Sequence, residues 1–324
     1  INTPHSKRGF LRKSDAQNYE REFKLKKAHS TDMKFSDFIE IYERDCLARL
    51  KYNTNMTKKY LIKDKILPYF ENRKLNEITP ADVIEWQNTL LAYRDSKGHC
   101  YSQTYLKTIH NQLSAIFNYA CKFYNLADNP ARKAGNMGKE QYGEMLFWTK
   151  EEYIKFSESI MDKTISYMAF ELLYWCGIRL GELLALTPED FDLKTDTVSI
   201  TKSYQRLQGK DYITDPKTKK SIRKIKMPHF LTEEIDNYIN SIYKLEKNQR
   251  IFQVTKSFLH HEMNRGCKLA GVKRIRIHDL RHSHVSLLIE LGFTPLAIAE
   301  RVGHESIDIT YRYAHLFPTK GAEI

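Results

Sequence analysis

Between residues 128 and 145 the chain loses its hydrophobic pattern, and this break decides what can fold on either side of it. The stretch reads DNPARKAGNMGKEQYGEM, with Pro130, Gly135, Gly138 and Gly143 and neither a helical nor an alternating period. It predicts a linker. Two lobes on such a strap can close around a rod-shaped ligand.

Before the break, residues 31–127 read as helical throughout. Phe35, Phe38, Ile39 and Tyr42 recur at helical spacing. A second helix is expected over residues 57–70, broken near Pro68. Thr79 and Pro80 cap and open a third, through Val83, Trp86 and Leu90. Asp95, Ser96 and Gly98 mark a loop, after which Ser102 caps a helix over residues 103–123. Lys58, Lys59 and Tyr60, and again Tyr101, Tyr105 and Lys107, interleave charge with aromatic rings. Such rims suit a duplex, although a single surface lysine is more often only solvated. Residues 1–30 are strongly basic. A helix over residues 14–27 has no apolar stripe wide enough to fold alone, so it reads as a linker helix or the end of a further domain.

After the break, residues 146–324 form a second domain. Thr149 and Glu152 spell a capping box. An apolar helix follows over 165–176, ended by Gly177, and Arg179 opens the next. The pattern then turns to strands over 197–204, 212–214 and 221–227, and returns to helix at about Thr232. The expected fold class is mainly α with a small antiparallel β-sheet in the second domain, arranged as a two-lobed clamp.

Charge narrows the partner. The net charge of +12 and pI of about 9.2 favour a polyanion, nucleic acid before membrane. No run of 18 apolar residues is present and no signal peptide opens the sequence. Cys46, Cys100, Cys121, Cys176 and Cys267 are odd in number and scattered, which fits a reduced, cytoplasmic setting and no metal-ligand spacing.

The chemistry concentrates in residues 278–313, HDLRHSHVSLLIELGFTPLAIAERVGHESIDITYRY. His278 and Arg281 are three apart, on one helical face. Thr294 and Pro295 start a second helix that stops at Gly303, and His304 follows. Ser306 caps a third, expected to carry Tyr313. Imidazoles, a guanidinium and a phenol suit phosphate-ester chemistry, with tyrosine as nucleophile and cations on the phosphate oxygens. Arg179 stands at a helix start, where the macrodipole disfavours a cation, and Glu182 one turn on can hold its guanidinium. The charge run Asp215-Pro216-Lys217-Thr218-Lys219-Lys220 is either a solvated tip or a source of an ammonium for a leaving oxygen. Each piece alone has an ordinary structural reading, a core tyrosine or a surface ion pair among them.

Together they are specific. Cys176-Gly177-Ile178-Arg179-Leu180-Gly181-Glu182-Leu183 resembles the first-arginine motif of the tyrosine recombinases, the phage-integrase family. Pro216-Lys217-Thr218 with Ser221-Ile222-Arg223 resembles its hairpin-lysine segment, and His278-Asp279-Leu280-Arg281-His282 its His-x-x-Arg box. Gly303-His304 is similar to its second histidine, and Tyr313-Ala314-His315-Leu316 to its nucleophile segment. Residues 31–127 resemble the helical core-binding (SAM-like) domain. Residues 8–22 resemble the end of an arm-binding domain in integrases of conjugative transposons.

The resemblance implies a site-specific recombinase that cuts and rejoins double-stranded DNA at the ends of a mobile element, through a 3′-phosphotyrosyl bond. It assigns Tyr313 as nucleophile, with Arg179 and Arg281 on the non-bridging oxygens. His278 and His304 bond the phosphate, and His278 takes the tyrosine proton. Lys217 is the acid, with Lys219 or Lys220 as alternatives, and Glu182 supports Arg179. It implies no cofactor, metal or ATP. It implies a homo-oligomer, a dimer per site and a tetramer in synapsis, with an accessory excision factor, in the bacterial cytoplasm. A type IB topoisomerase shares this chemistry, and an architectural DNA-binding protein shares the charge and helices. Neither accounts as well for the helical module and the ordered motifs together.

Overall fold

The computed structural model describes residues 12, 13, 17, 31–140, 145–216, 218–311 and 313. The helix expected over 14–27, the basic segment 1–30, Lys217 and the tail after Tyr313 lie wholly or almost wholly outside these. The chain divides into two compact units, Ile1–Gly143 and Glu144–Ile324. Among the described residues, no helix is long and apolar enough to cross a membrane.

The first unit is helical. Its main helices are Phe35–Asp45, Tyr52–Leu61, Pro80–Ala92 and Gln103–Phe123. They close on a core that includes Phe35, Phe38, Ile66, Phe70, Trp86, Leu113 and Phe117. Thr79 accepts from the Asp82 N–H while the Asp82 carboxylate accepts from that of Thr79, the reciprocal cap expected ahead of Pro80. The second helix starts at Tyr52, earlier than the expected 57. It does not simply break near Pro68. A π-helical turn, Ile62–Ile66, precedes a last turn Leu67–Phe70, and Trp86 Nε1 donates to the Lys65 carbonyl at 2.8 Å.

The stretch expected as a linker, 128–145, is partly folded into this unit. Asn129 caps a short helix, Pro130–Ala134, and Ala131 and Met137 are buried in the core. Asparagine before proline is a helix start, and here that local signal outweighs the absent periodicity.

The second unit is built on the helix Thr164–Cys176, which is apolar nearly all round. Lys150–Glu158, His229–Ser241, Lys256–Ala270 and Asp279–Glu290 complete its larger helices. Its strands are β1 (Phe191–Asp192), β2 (Thr197–Ile200), β3 (Ser203–Leu207), β4 (Lys210–Thr214) and β5 (Arg223–Lys226). β1, β2 and β5 make one antiparallel sheet, with Val198 opposite Ile225, and β3 and β4 make a separate hairpin. The single strand expected over 197–204 is therefore two. The pairing is interrupted at residues 201–202, and the Lys202 ammonium is held by Asp190 at 2.8 Å and the Thr187 hydroxyl at 2.9 Å. Mainly α with a small antiparallel sheet is the fold observed.

Candidate active site

The chemistry-bearing residues gather around the end of one helix, Pro295–Val302. Thr294 caps its start, accepting from Ala297 N, and Ile298, Ala299 and Val302 are buried. Gly303 ends it at φ +68°, and the His304 N–H returns to the Ala299 carbonyl at 2.9 Å. A side chain at 303 would also press on the Lys220 carbonyl and the Arg223 side chain. A helix end leaves carbonyls unpaired and carries partial negative charge. Guanidinium groups take three consecutive ones here. Arg223 Nε donates to Arg301 O at 3.0 Å, Arg281 Nη2 to Val302 O, and Arg179 Nη2 to Gly303 O at 3.3 Å.

A second backbone carbonyl fixes the plane of Arg281. Gly177 ends the core helix at φ +61°, and its carbonyl accepts from Arg281 Nη1 at 2.8 Å. A Cβ at 177 would run into the His284 ring, so glycine is required twice over. Glu182 is buried at 4% exposure and joins two of the arginines. Its carboxylate accepts from Arg179 Nη1 at 2.7 Å, the Arg179 N–H at 2.9 Å and Arg223 Nη2 at 2.9 Å. Burial works against its charge, but Arg223 and Arg179 hold it below the usual carboxylate range.

The cluster remains cationic. Burial, then Arg179 and Arg223, push the Arg281 guanidinium down to about 9. The histidines respond in the same direction. His304 is buried, with Nδ1 on the Thr310 hydroxyl at 2.8 Å, and burial followed by Arg281 and Arg179 pushes it down to about 3. His278 precedes the helix Asp279–Glu290 and keeps a solvent-facing edge. The protein crowded about the rest of its ring, and Arg281, lower it too. Both imidazoles are thus neutral near pH 7, each able to donate one N–H and accept at its other nitrogen.

Tyr313 was expected on a third helix. That helix is the single turn Asp308–Tyr311, and Tyr313 follows it, its N–H on the Thr310 carbonyl at 3.0 Å. Ser306 bonds Asp308 through both its N–H and its carboxylate, which orders the turn but yields no longer helix. The Tyr313 ring is 2% exposed among Val285, Leu288, Ile289, Ile298 and Val302. Its hydroxyl meets Nδ1 of His282.

Of the residues singled out in sequence, Arg179, Glu182, Arg281 and His304 meet at one helix end, with His278 and Tyr313 electrostatically coupled to Arg281. Lys217 lies outside the described residues. Its neighbour Lys220 donates to the Glu305 carbonyl at 2.9 Å, beside His304. His282 and Arg223 stand inside two of the motifs quoted from the sequence, but neither was assigned a role there. His282 had a signal, one position past Arg281 and four after His278. The pairing of Arg223 with Glu182 had none, because the two are 41 residues apart.

Glu182 offers an early check. Glu182→Gln removes the carboxylate that Arg223 faces with its side chain only 6% exposed. Loss of one partner of a buried pair typically costs about 3–5 kcal/mol. Urea unfolding at pH 7 is expected to show a loss of that order. A carboxylate with a lowered folded value stabilises fully above its unfolded value and ceases to do so as pH falls through the folded one. The gap between wild type and variant should therefore close in acid; no difference at pH 7 would remove Glu182 from this role.

The model for the phage integrase family matches residues 139–320, and that for the phage integrase N-terminal SAM-like domain matches residues 34–91. The chain is 30% identical over 320 residues to the ICEBs1 integrase of Bacillus subtilis (strain 168), covering 94% of this chain and 85% of that protein. It is 27% identical over 282 residues to the integrase of Staphylococcus phage L54a, covering 71% and 78%. Among solved structures, the Tn1549 transposon integrase in complex with a circular intermediate DNA superposes with TM-score 0.69 at 18% identity, over 85% of this chain and 93% of that one. A lambda integrase dimer bound to a COC′ core site gives 0.63 at 18% identity, over 90% and 98%.

Proposed function

This chain belongs to the phage integrase family of tyrosine recombinases, and from that premise we propose that Tyr313 attacks a scissile DNA phosphate. The Tyr313 oxygen bonds to phosphorus, the bond to the 5′-oxygen breaks, and a 3′-phosphotyrosyl ester and a free 5′-hydroxyl result. The observation that carries this reading is the convergence of Arg179 and Arg281 on adjacent carbonyls of one helix end. Fixed there, each fork turns its remaining N–H groups to the non-bridging oxygens as they gain charge. Burial lowers Arg281 first and repulsion from Arg179 and Arg223 second, and a phosphate offsets that second part. His304, its ring oriented by the Thr310 hydroxyl at Nδ1, and His278, at its open edge, bond the phosphate. Glu182 holds Arg179 in plane. Lys217, in the segment between β4 and β5, gives the proton to the leaving oxygen, with Lys219 and Lys220 as its nearest substitutes.

The ester conserves the energy of the broken bond, so a 5′-hydroxyl from a second duplex can reverse the step and complete strand exchange without ATP. The partner is double-stranded DNA at the ends of a mobile element that is excised and integrated. Residues 31–127 form the core-binding domain and residues 146–324 the catalytic one. Each subunit supplies one Tyr313 and exchange of two duplexes needs four cuts. The assembly is therefore a dimer per site and a tetramer in synapsis, with an accessory factor directing excision. Support comes from the structural neighbours, one a dimer on a core site and one holding a circular intermediate.

The test is a two-duplex assay with the element's own ends, in chelator and without ATP. Recombinant duplexes and a protein-linked intermediate are expected. Relaxation of plasmids that lack those ends, with no recombinants, would replace this reading by a topoisomerase. Binding without any covalent product would leave only an architectural protein.

A further inference from the structure

The proton of the attacking phenol needs an acceptor, and the geometry names one. His282 Nδ1 meets the Tyr313 hydroxyl inside the second unit. The ring planes are tilted by 52° with centroids 5.7 Å apart, so the contact is made by the nitrogen and not by stacking. On its far side, His282 Nε2 lies 3.7 Å from Oδ1 of Asp279. Asp279 is wholly buried, and Arg276 fixes its carboxylate through its N–H at 2.8 Å and its guanidinium at 2.8 Å.

This placement selects a tautomer. A nitrogen that faces a carboxylate carries the proton, since a lone pair there would be repelled. Nε2 is then the N–H and Nδ1 is bare, so the phenol donates to it. A phenol already donating to a bare imidazole nitrogen is poised for transfer. His278 stands one helical turn earlier, edge-on to His282 at 5.4 Å between centroids, and is left to the phosphate.

We infer that His282 takes the phenolic proton of Tyr313 during cleavage and returns it during rejoining, with Asp279 fixing its tautomer. The inference rests on the reading of Tyr313 as nucleophile. In the forward step the O–H bond breaks, the proton passes to Nδ1 as the tyrosine oxygen bonds to phosphorus, and the leaving 5′-oxygen is protonated separately. In reverse, the imidazolium at 282 reprotonates the departing phenolate. In the free protein, burial and then His278 push His282 down to about 4, so it is neutral, as a base must be before it acts. Phosphate bound at Arg179 and Arg281 offsets the cations around it and raises its basicity.

The test is single-turnover formation of the covalent complex on a nicked duplex bearing the element's core site. His282→Asn keeps an acceptor atom near the hydroxyl but cannot take a proton. It is expected to bind DNA normally and to cleave on the order of 10²-fold more slowly. Difluorotyrosine at position 313 ionises more readily, so it should restore most of that loss. A near-wild-type rate in His282→Asn, or an equal loss with both tyrosines, would overturn the inference, the latter by reducing His282 to a positioning role. Should the variant not fold, ¹⁵N shifts of the wild-type histidines still decide: a proton on Nδ1 of His282 overturns it. Persistent covalent attachment in Tyr313→Phe is a different result, which would sink the underlying assignment of the nucleophile.

Discussion

Tyr313→Phe is expected to abolish covalent attachment to DNA and to leave site binding nearly unchanged. The ring is 2% exposed within a small apolar cluster, and phenylalanine fills the same space. The hydroxyl's bond to His282 is given up, worth about 1 kcal/mol for a hydrogen bond of ordinary strength. Fold and binding should survive a loss of that size. Covalent attachment should not, because a phenylalanine at 313 has no oxygen with which to form the proposed ester. The rival is Tyr311, two residues earlier and 52% exposed on the single turn Asp308–Tyr311. Its exposure makes it accessible but leaves it in none of the contacts that organise the site. A denaturing gel of the three proteins on labelled DNA separates the cases. Loss in Tyr311→Phe with retention in Tyr313→Phe would reverse the assignment.

Arg281→Lys is expected to slow cleavage on the order of 10²- to 10³-fold, the usual cost of one preorganised donor set. Arg281 is 3% exposed and its planar fork bridges Gly177 O and Val302 O, which ties the end of the core helix to the end of Pro295–Val302. An ammonium is a point charge and cannot span both carbonyls while also facing a phosphate. The charge is kept, so DNA binding should weaken far less than the rate. A rate near wild type, with normal binding, would exclude Arg281 from the transition state. Arg179→Lys should show a comparable kinetic loss with less disturbance of the fold, since the Arg179 side chain is 38% exposed.

The legible parts of this chain were those written locally. Thr79-Pro80, Ser102, Thr149 with Glu152 and Thr294-Pro295 each spell a helix start within four residues, and each cap is present. Glu182 three residues from Arg179 is likewise a one-turn relation, and the two side chains meet. What could not be read depends on contacts distant in sequence. The run expected as one strand over 197–204 divides because Thr197–Ile200 pairs with Arg223–Lys226 while Ser203–Leu207 pairs with Lys210–Thr214. Residues 129–138 join the first unit because Ala131 and Met137 find a core that their own sequence does not announce. The common anchor of the arginines was hidden for the same reason. Carbonyls carry no residue signature, so nothing in the sequence shows that the last turn of Pro295–Val302 will collect Arg179, Arg223 and Arg281.

The nucleophile can be identified without any substitution. The wild-type protein is trapped on a nicked duplex carrying the element's core site, digested with protease and nuclease, and the nucleotide-bearing peptide is sequenced by mass spectrometry. The expected result is a single modified residue, Tyr313, carrying its nucleotide through a 3′-phosphate. A nucleotide on Tyr311, on a serine, or joined through a 5′-phosphate would contradict the assignment of the active site around the end of Pro295–Val302.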